Sequence, residues 1–335
     1  MRRNALEVVN TTRQQRNQAQ SYHNYQNPSA NTSGNYATSG FDNDENYYYN
    51  SDRLIKLNSA MENITNNQVV QGYGLEIEQG NSKGLSSVAL VMLNRNIIMS
   101  GLHEHLFKYQ EDGSIDGIEC ITQVMSKAYI RNHYKDFYNA WQCMKLYGVT
   151  PNESCGMHIN MSNNLFGSNS DQQAKNIAKM VHLINRFFEV FKVLYCRNNR
   201  STYYCDLMSS WTNVSFAKNR GVELIKSDHS SNHYVCFNYA HFHEGRVELR
   251  LVGGAKSFRA FASMMELTFA LVDYVKKASW DDIEKLNNDK LLNKLNANQM
   301  ITKWFNAQLN TSIQPKNLDL NLDEIISSTT RSERW

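Results

Sequence analysis

The stretch QGYGLEIEQG, residues 71–80, sets two carboxylates, Glu76 and Glu78, two positions apart in a short segment bounded by glycines. On a β-strand, positions i and i+2 point to the same face, so the two acids stand side by side and repel. Leu75 and Ile77 alternate with them, which gives a strand with one charged and one packing face. Something positive has to meet the charged face.

Other segments repeat this pattern. HLFKYQEDGSIDGIECITQ alternates and is broken by Gly113 and Gly117, which predicts two short strands around a turn, with Glu119 interrupting the second. CGMHINMS (155–162) puts His158 and Asn160 on one face and Met157, Ile159 and Met161 on the other. HYVCFNYAHFHEGRVELRLVGG alternates across Val235, Phe237 and Tyr239, turns at Glu244-Gly245 and alternates again through Val247, Leu249 and Leu251. That spacing predicts a hairpin with Arg246, Glu248 and Arg250 along its other face.

Helical spacing marks LSSVALVMLNRNIIM, then SKAYIRNHYKDFYNAWQCMKLYG ending at Gly148 and Pro151, and DQQAKNIAKMVHLINRFFEVFKVLY with Asp171 as a cap. Further helices are expected in FRAFASMMELTFALVDYVKK, DDIEKLNNDKLLNKLN and ITKWFNAQL, while the region through WTNVSFAKNRG reads as a loop. Strands joined by hairpins and mixed with helices make an α+β protein with a mainly antiparallel sheet, not the β-α alternation of a parallel nucleotide-binding sheet. There is no internal repeat.

The 335 residues are 41% hydrophobic, enough for a sizeable core. Residues 1–55 are rich in Asn, Gln, Ser and Tyr and are expected to be a disordered tail whose tyrosines could dock on a protein partner. The folded domain is expected over 56–310 and a polar tail over 311–335. A net charge of +3 is too mild to argue for nucleic acid or a membrane surface as partner. No apolar run reaches the roughly 18 residues of a membrane span, and the six scattered cysteines contain no Cys-x-x-Cys pair. A cytoplasmic location with reduced thiols is the expectation.

Charge inside an apolar strand is costly unless it is paired or bound to a cation. Taken singly, the glutamate pair reads as a solvated face, RVELR as an ion-paired surface strand and His158 as a hydrogen-bonded core histidine. Their joint occurrence suggests more. Oxygen ligands with one imidazole suit Mg²⁺ or Mn²⁺, and arginines are matched to phosphate, so the set points to a metal-nucleotide site. Neither G-x-G-x-x-G nor G-x-x-x-x-G-K-[ST] is present, so a nucleotide's phosphates would be held through metal ions instead of a glycine loop.

GLEIE (74–78), DGSIDGIE (112–119), CGMHIN (155–160) and RVELR (246–250), in this order, resemble the motifs of the amidoligase family, relatives of glutamine synthetase and glutamate-cysteine ligase. The resemblance spans residues 70–275 and includes RSTYYC (200–205) and the HYVCFN ahead of the last hairpin. It implies a curved antiparallel sheet around an ATP site with helices on its outer face, and ATP-dependent joining of a carboxylate to an amine through an acyl phosphate. It further implies Glu76, Glu78, Glu111 or Asp112, Glu119, His158 and Glu248 as metal ligands. Arg246, Glu248 and Arg250 become catalytic residues, Arg246, Arg250 and Asn160 contacts to the nucleotide, and Arg200 a clamp for the acceptor carboxylate. Two features depart from the family pattern: Asn160 stands where a second His is common, and ECITQVMS lacks the family's proline. Two rival readings are a zinc hydrolase using His103-Glu104-His105 or His241-Phe242-His243 on strands, and a non-enzymatic binding module.

Overall fold

The computed structural model describes residues 72–81, 107–111, 117–122, 124–152, 154–197, 205–227, 234–315 and 320. Seven strands form one sheet: β1 (Tyr73–Asn81), β2 (Phe107–Glu111), β3 (Gly117–Thr122), β4 (Val149–Thr150), β5 (Met157–Ser162), β6 (Phe237–Asn238) and β7 (Arg246–Leu249). Their order is β2-β3-β1-β5-β7-β6, with the two-residue β4 beside the end of β1. Every pairing between them is antiparallel, and the sheet is neither closed nor strongly curled. The fold is α+β.

Register makes the two faces chemically different. Leu75 and Ile77 lie across from Ile159 and Met157, and Ile159 and Met161 across from Leu249 and Val247, so one row of apolar side chains crosses three strands. All are fully buried, each contributing about 1.5–3 kcal/mol relative to exposure.

Among the described residues the helices are α1 (Lys127–Asn132), α2 (Tyr134–Tyr147), α3 (Ser170–Arg186), α4 (Phe188–Leu194), α5 (Val222–Ser227), α6 (Phe258–Lys277), α7 (Trp280–Glu284), α8 (Asn288–Leu295) and α9 (Gln299–Leu309). Helix α6 starts where the Ser257 hydroxyl accepts from the Ala260 amide, and it is buried almost all round. Its Phe269 meets Tyr73 of β1 with ring centroids 4.7 Å apart, and its Phe261 meets Trp141 of α2 at 4.6 Å. Lys179 of α3 donates to the carbonyls of Val275 and Ala278, which fastens α3 to the end of α6. Trp304 of α9 donates to the Leu194 carbonyl at the end of α4.

Several boundaries differ from the sequence expectation. The helix expected over SKAYIRN…LYG breaks at His133 (φ −108°, ψ 17°) into α1 and α2, although it ends as expected with Gly148 in the left-handed region at φ 75°. The helix from Asp171 breaks at Phe187 into α3 and α4, and its cap is Asn169, whose side chain accepts from the Gln172 amide. Asp171 instead pairs with Lys226 of α5. DDIEKLNNDKLLNKLN splits into α7 and α8 because Asn287 caps a new helix. The loop expected through WTNVSFAKNRG is helical: a single turn over Val214–Phe216, a π turn over Ala217–Gly221, then α5. Trp211, packed against Phe216 and Tyr239, anchors this segment through tertiary contacts that outweigh its weak local helix preference. The last hairpin is antiparallel, but β6 stops at Asn238 and a 3₁₀ turn over Ala240–Glu244 replaces the tight turn, with Gly245 at φ 91° closing it. The expected helix in LSSVALVMLNRNIIM, the 1–55 tail and most of the 311–335 tail lie outside the described residues.

One acid is buried among the helices. Glu266 of α6 accepts two bonds from Arg131 (2.9 and 2.6 Å), one from the Tyr134 hydroxyl (2.8 Å) and one from Asn298 (2.8 Å), so it ties α1, α2 and the start of α9 to α6. Glu266→Ala leaves these donors without their acceptor and is expected to cost about 3 kcal/mol, read as a lowered denaturant midpoint at unchanged m-value.

Candidate metal centre

The period of two along β1, β5 and β7 sends their charged side chains to the face opposite the apolar row. Backbone register then decides which of them meet. Glu76 lies across from His158, Glu78 from Glu119, and Asn160 from Glu248. Glu78, Glu119, His158, Asn160 and Glu248 are buried, and Glu76 is half-buried.

His158 is the hub. Its Nδ1 is 2.9 Å from Glu76 Oε2 and 3.4 Å from Glu248 Oε1, and its Nε2 is 3.8 Å from Glu78 Oε1. The other Glu76 oxygen accepts from Asn160 Nδ2 at 2.9 Å, and Asn160 Oδ1 in turn accepts from Arg246 Nη1 at 2.9 Å. Arg250 Nη1 donates to Glu248 Oε1 at 2.6 Å, and Asn238 Nδ2 donates to the second oxygen of Glu248 at 3.3 Å. The network runs without a break from Arg246 to Arg250.

Glu78 is held differently, by the backbone amide of Gly156. A Cβ at position 156 would come within 2.7 Å of Nη1 at the flexible end of Arg197 and would lie at ordinary contact distance, 3.4 Å, from Glu78 Oε2.

Burial pushes the Glu76 carboxyl up, but its bonds from His158 and Asn160 and the charge of Arg250 together hold it below the ordinary carboxylate value. Burial likewise opposes charge on His158, yet the Glu76 bond and the Glu248 charge outweigh it and raise the imidazole above its ordinary value. Four carboxylates thus converge on one imidazole and two guanidiniums on a face largely withdrawn from water.

Glu76, Glu119 and His158 each offer a ligand atom within 4.8 Å of the others. Two carboxylates and one imidazole at that spacing can close on a single divalent cation, and the donor set is that of a hard ion. The residues present fit such an ion.

No protein-family model matches the chain, and neither does any curated protein.

Of the residues singled out from the sequence, Glu76, Glu78, Glu119, His158, Asn160, Arg246, Glu248 and Arg250 are gathered on one face. Glu111 pairs in register with Ile118, one position out of phase with Glu119, and its side chain lies outside the described residues. Asp112, Arg200, His103 and His105 also lie outside them. His241 and His243 are not on a strand. They sit in the 3₁₀ turn, where His241 contacts Glu244 Oε2 at 2.9 Å, an oxygen that also lies 3.7 Å from Arg246 Nη2 at the edge of the network. Asn238 joins the site without having been singled out. It sits in HYVCFN and has a polar side chain on an apolar strand as its only signal. Among the described residues, no helix is long and apolar enough to cross a membrane.

The two shifts bound a pH window. Glu76, lowered from 4.5, contributes stability that is present above that value and lost as pH falls through its folded value. His158, raised from 6.5, contributes stability that is present below that value and lost as pH rises through its folded value. With a chelator present, the pair is expected to stabilise most between pH 4.5 and 6.5, read from thermal midpoints across pH. Cation binding runs the other way, because it requires the neutral imidazole. Mn²⁺ affinity in a calorimetric titration should rise about tenfold per pH unit until His158 has lost its proton.

Proposed function

We propose that the chain is an ATP-dependent carboxylate-amine ligase that works with Mg²⁺ or Mn²⁺ and forms an amide or isopeptide bond. The observation that supports this reading is the convergence of acids, imidazole and arginines from distant segments into one hydrogen-bonded face, drawn from the segments that carry the amidoligase resemblance. On this reading the antiparallel sheet corresponds to the catalytic sheet of glutamine synthetase relatives, although it is not strongly curled as that resemblance implies.

The resemblance divides the acids between two ions, Glu78 with Glu119 and Glu76 with His158 and Glu248, whereas the ligand atoms of Glu119, Glu76 and His158 lie within 4.8 Å of one another, so Glu119 would stand between the two ions. Bound divalent cations supply the positive charge that lets an anionic carboxylate approach the γ-phosphate of ATP. Arg250 is kept in place by Glu248, which would fix its guanidinium for a phosphoryl oxygen. Arg246, tethered through Asn160 to Glu76, would present a second guanidinium to the charge that builds up during transfer. The carboxylate oxygen attacks the γ-phosphorus, ADP leaves, and the amine then displaces phosphate from the acyl phosphate. Burial of Glu78, Glu119 and Glu248 limits water, which would otherwise hydrolyse that intermediate.

The substrates would be a small-molecule or peptide carboxylate and an amine, with Arg200 as the acceptor clamp and the N-terminal tail as a protein-docking segment. A cytoplasmic location fits the six cysteines, all of which are free. One observation favours a second reading: the network from Arg246 to Arg250 satisfies its own charges, as in a binding module that uses the face only for stability.

Glu248→Gln separates the two. It removes a charge and keeps the shape, so phosphate release from ATP with Mg²⁺ and a panel of acids and amines should fall at least about a hundredfold while the fold persists. Unchanged turnover refutes the site assignment. No turnover in the native chain, together with a lowered thermal midpoint in the variant, supports the binding-module reading.

A further inference from the structure

A cleft of about 330 Å³ opens between the end of β1, helix α2, β4 and the first turn of α6. It lies across the sheet from the charged face, because Gln79, which lines it, alternates with Glu78 along β1 and belongs to the row of Leu75 and Ile77. Its size is at the lower end of the range that small-molecule pockets span.

The walls are of two kinds. Tyr138, Trp141 and Phe258 give flat apolar surfaces, with Tyr138 and Phe258 packed edge to face at 5.8 Å. The Trp141 indole N–H is already bonded to the Ala255 carbonyl, so this ring acts as a fixed wall. Around the mouth stand Lys145, Lys256 and Arg259, and no lining residue is acidic. Among the described residues neither Lys145 nor Lys256 has an ion-pair partner. The positive end of the twenty-residue helix α6, with no acid in its first turn, adds to the same field.

Gln79 supplies the independent sign of a ligand. It is 1% exposed and lines the cleft, yet its side-chain N–H₂ has no hydrogen-bond partner among the described residues. A buried donor left without an acceptor is unfavourable by about 1–3 kcal/mol, and an acceptor seated in the cleft would remove that cost.

We propose that this cleft binds a small aromatic anion, a carboxylate or a phosphate monoester. Its ring lies against Trp141, Tyr138 and Phe258, and its anionic head accepts from Gln79 and is neutralised by Lys145, Lys256 and Arg259. The site is separate from the candidate metal centre and needs no cation, so it stands or falls independently of the proposed ligase activity.

The test is calorimetric titration of the full chain, in chelator, with phenyl phosphate and with benzoate, and with phenol and inorganic phosphate as half-ligands. Saturable binding of at least one of the two aromatic anions is expected, at least about tenfold tighter than either half-ligand. Lys145→Gln combined with Lys256→Gln changes exposed side chains only, and it should weaken that binding at least about tenfold while lowering the thermal midpoint only slightly, through the lost charge in the last turn of α2. Gln79→Leu should weaken it severalfold while leaving the protein as stable or more so, since it removes the unsatisfied donor. Absence of saturable binding to the native chain overturns the proposal. So does binding that the double lysine variant leaves unchanged, whether or not Gln79→Leu folds.

Discussion

Carboxylates can be withdrawn from water on one face of a sheet only if the register sets positive groups against them. The antiparallel pairing of β1 with β5 meets that condition by placing Glu76 opposite His158. A slip of one residue would turn Glu76 and Glu78 into the apolar row and bring Leu75 and Ile77 out among the charges. The same register therefore specifies the core and the candidate site together. Asn160 and Glu248 extend it to β7, and Glu119 extends it to β3.

The rigidity of the charged face comes from the other side of the sheet. Helix α6 presses Phe269 onto Tyr73, and Phe261 onto Trp141 and Phe137 of α2, so the strands that carry the ligands are held by aromatic packing. Side chains placed on such strands are more closely positioned than those on loops, and the hydrogen bonds among Glu76, Asn160 and Arg246 hold their orientations. For Glu78 the backbone amide of Gly156 does what His158 does for Glu76.

Strand β1 has different chemistry on its two sides at adjacent positions. Glu78 belongs to the acidic face, and Gln79 reaches the cationic cleft beneath α6. The charge segregation explains why both can exist in one small protein of near-neutral net charge. On the two proposals above, the sheet would separate a cation-binding face from an anion-binding cleft.

Alternation in GLEIE, CGMHINM and RVELR determined the strands, the two faces and the set of residues that share the charged one, because a period of two admits one assignment once the apolar partners are known. The helix of α6 was legible from its own spacing, whereas its Ser257 cap came only with the structure. Pairing order and register came only with the tertiary structure, because no local pattern states which strand lies beside which. The breaks at His133 and Phe187 and the helical turns around Trp211 also came only with it; at Trp211, packing against the sequence-distant Tyr239 outweighs local propensities of about a few tenths of a kcal/mol. Arg197 beside Gly156 and Gln79 beneath α6 owe their places to close approaches between separate elements, and the order of residues along the chain carries no trace of such approaches.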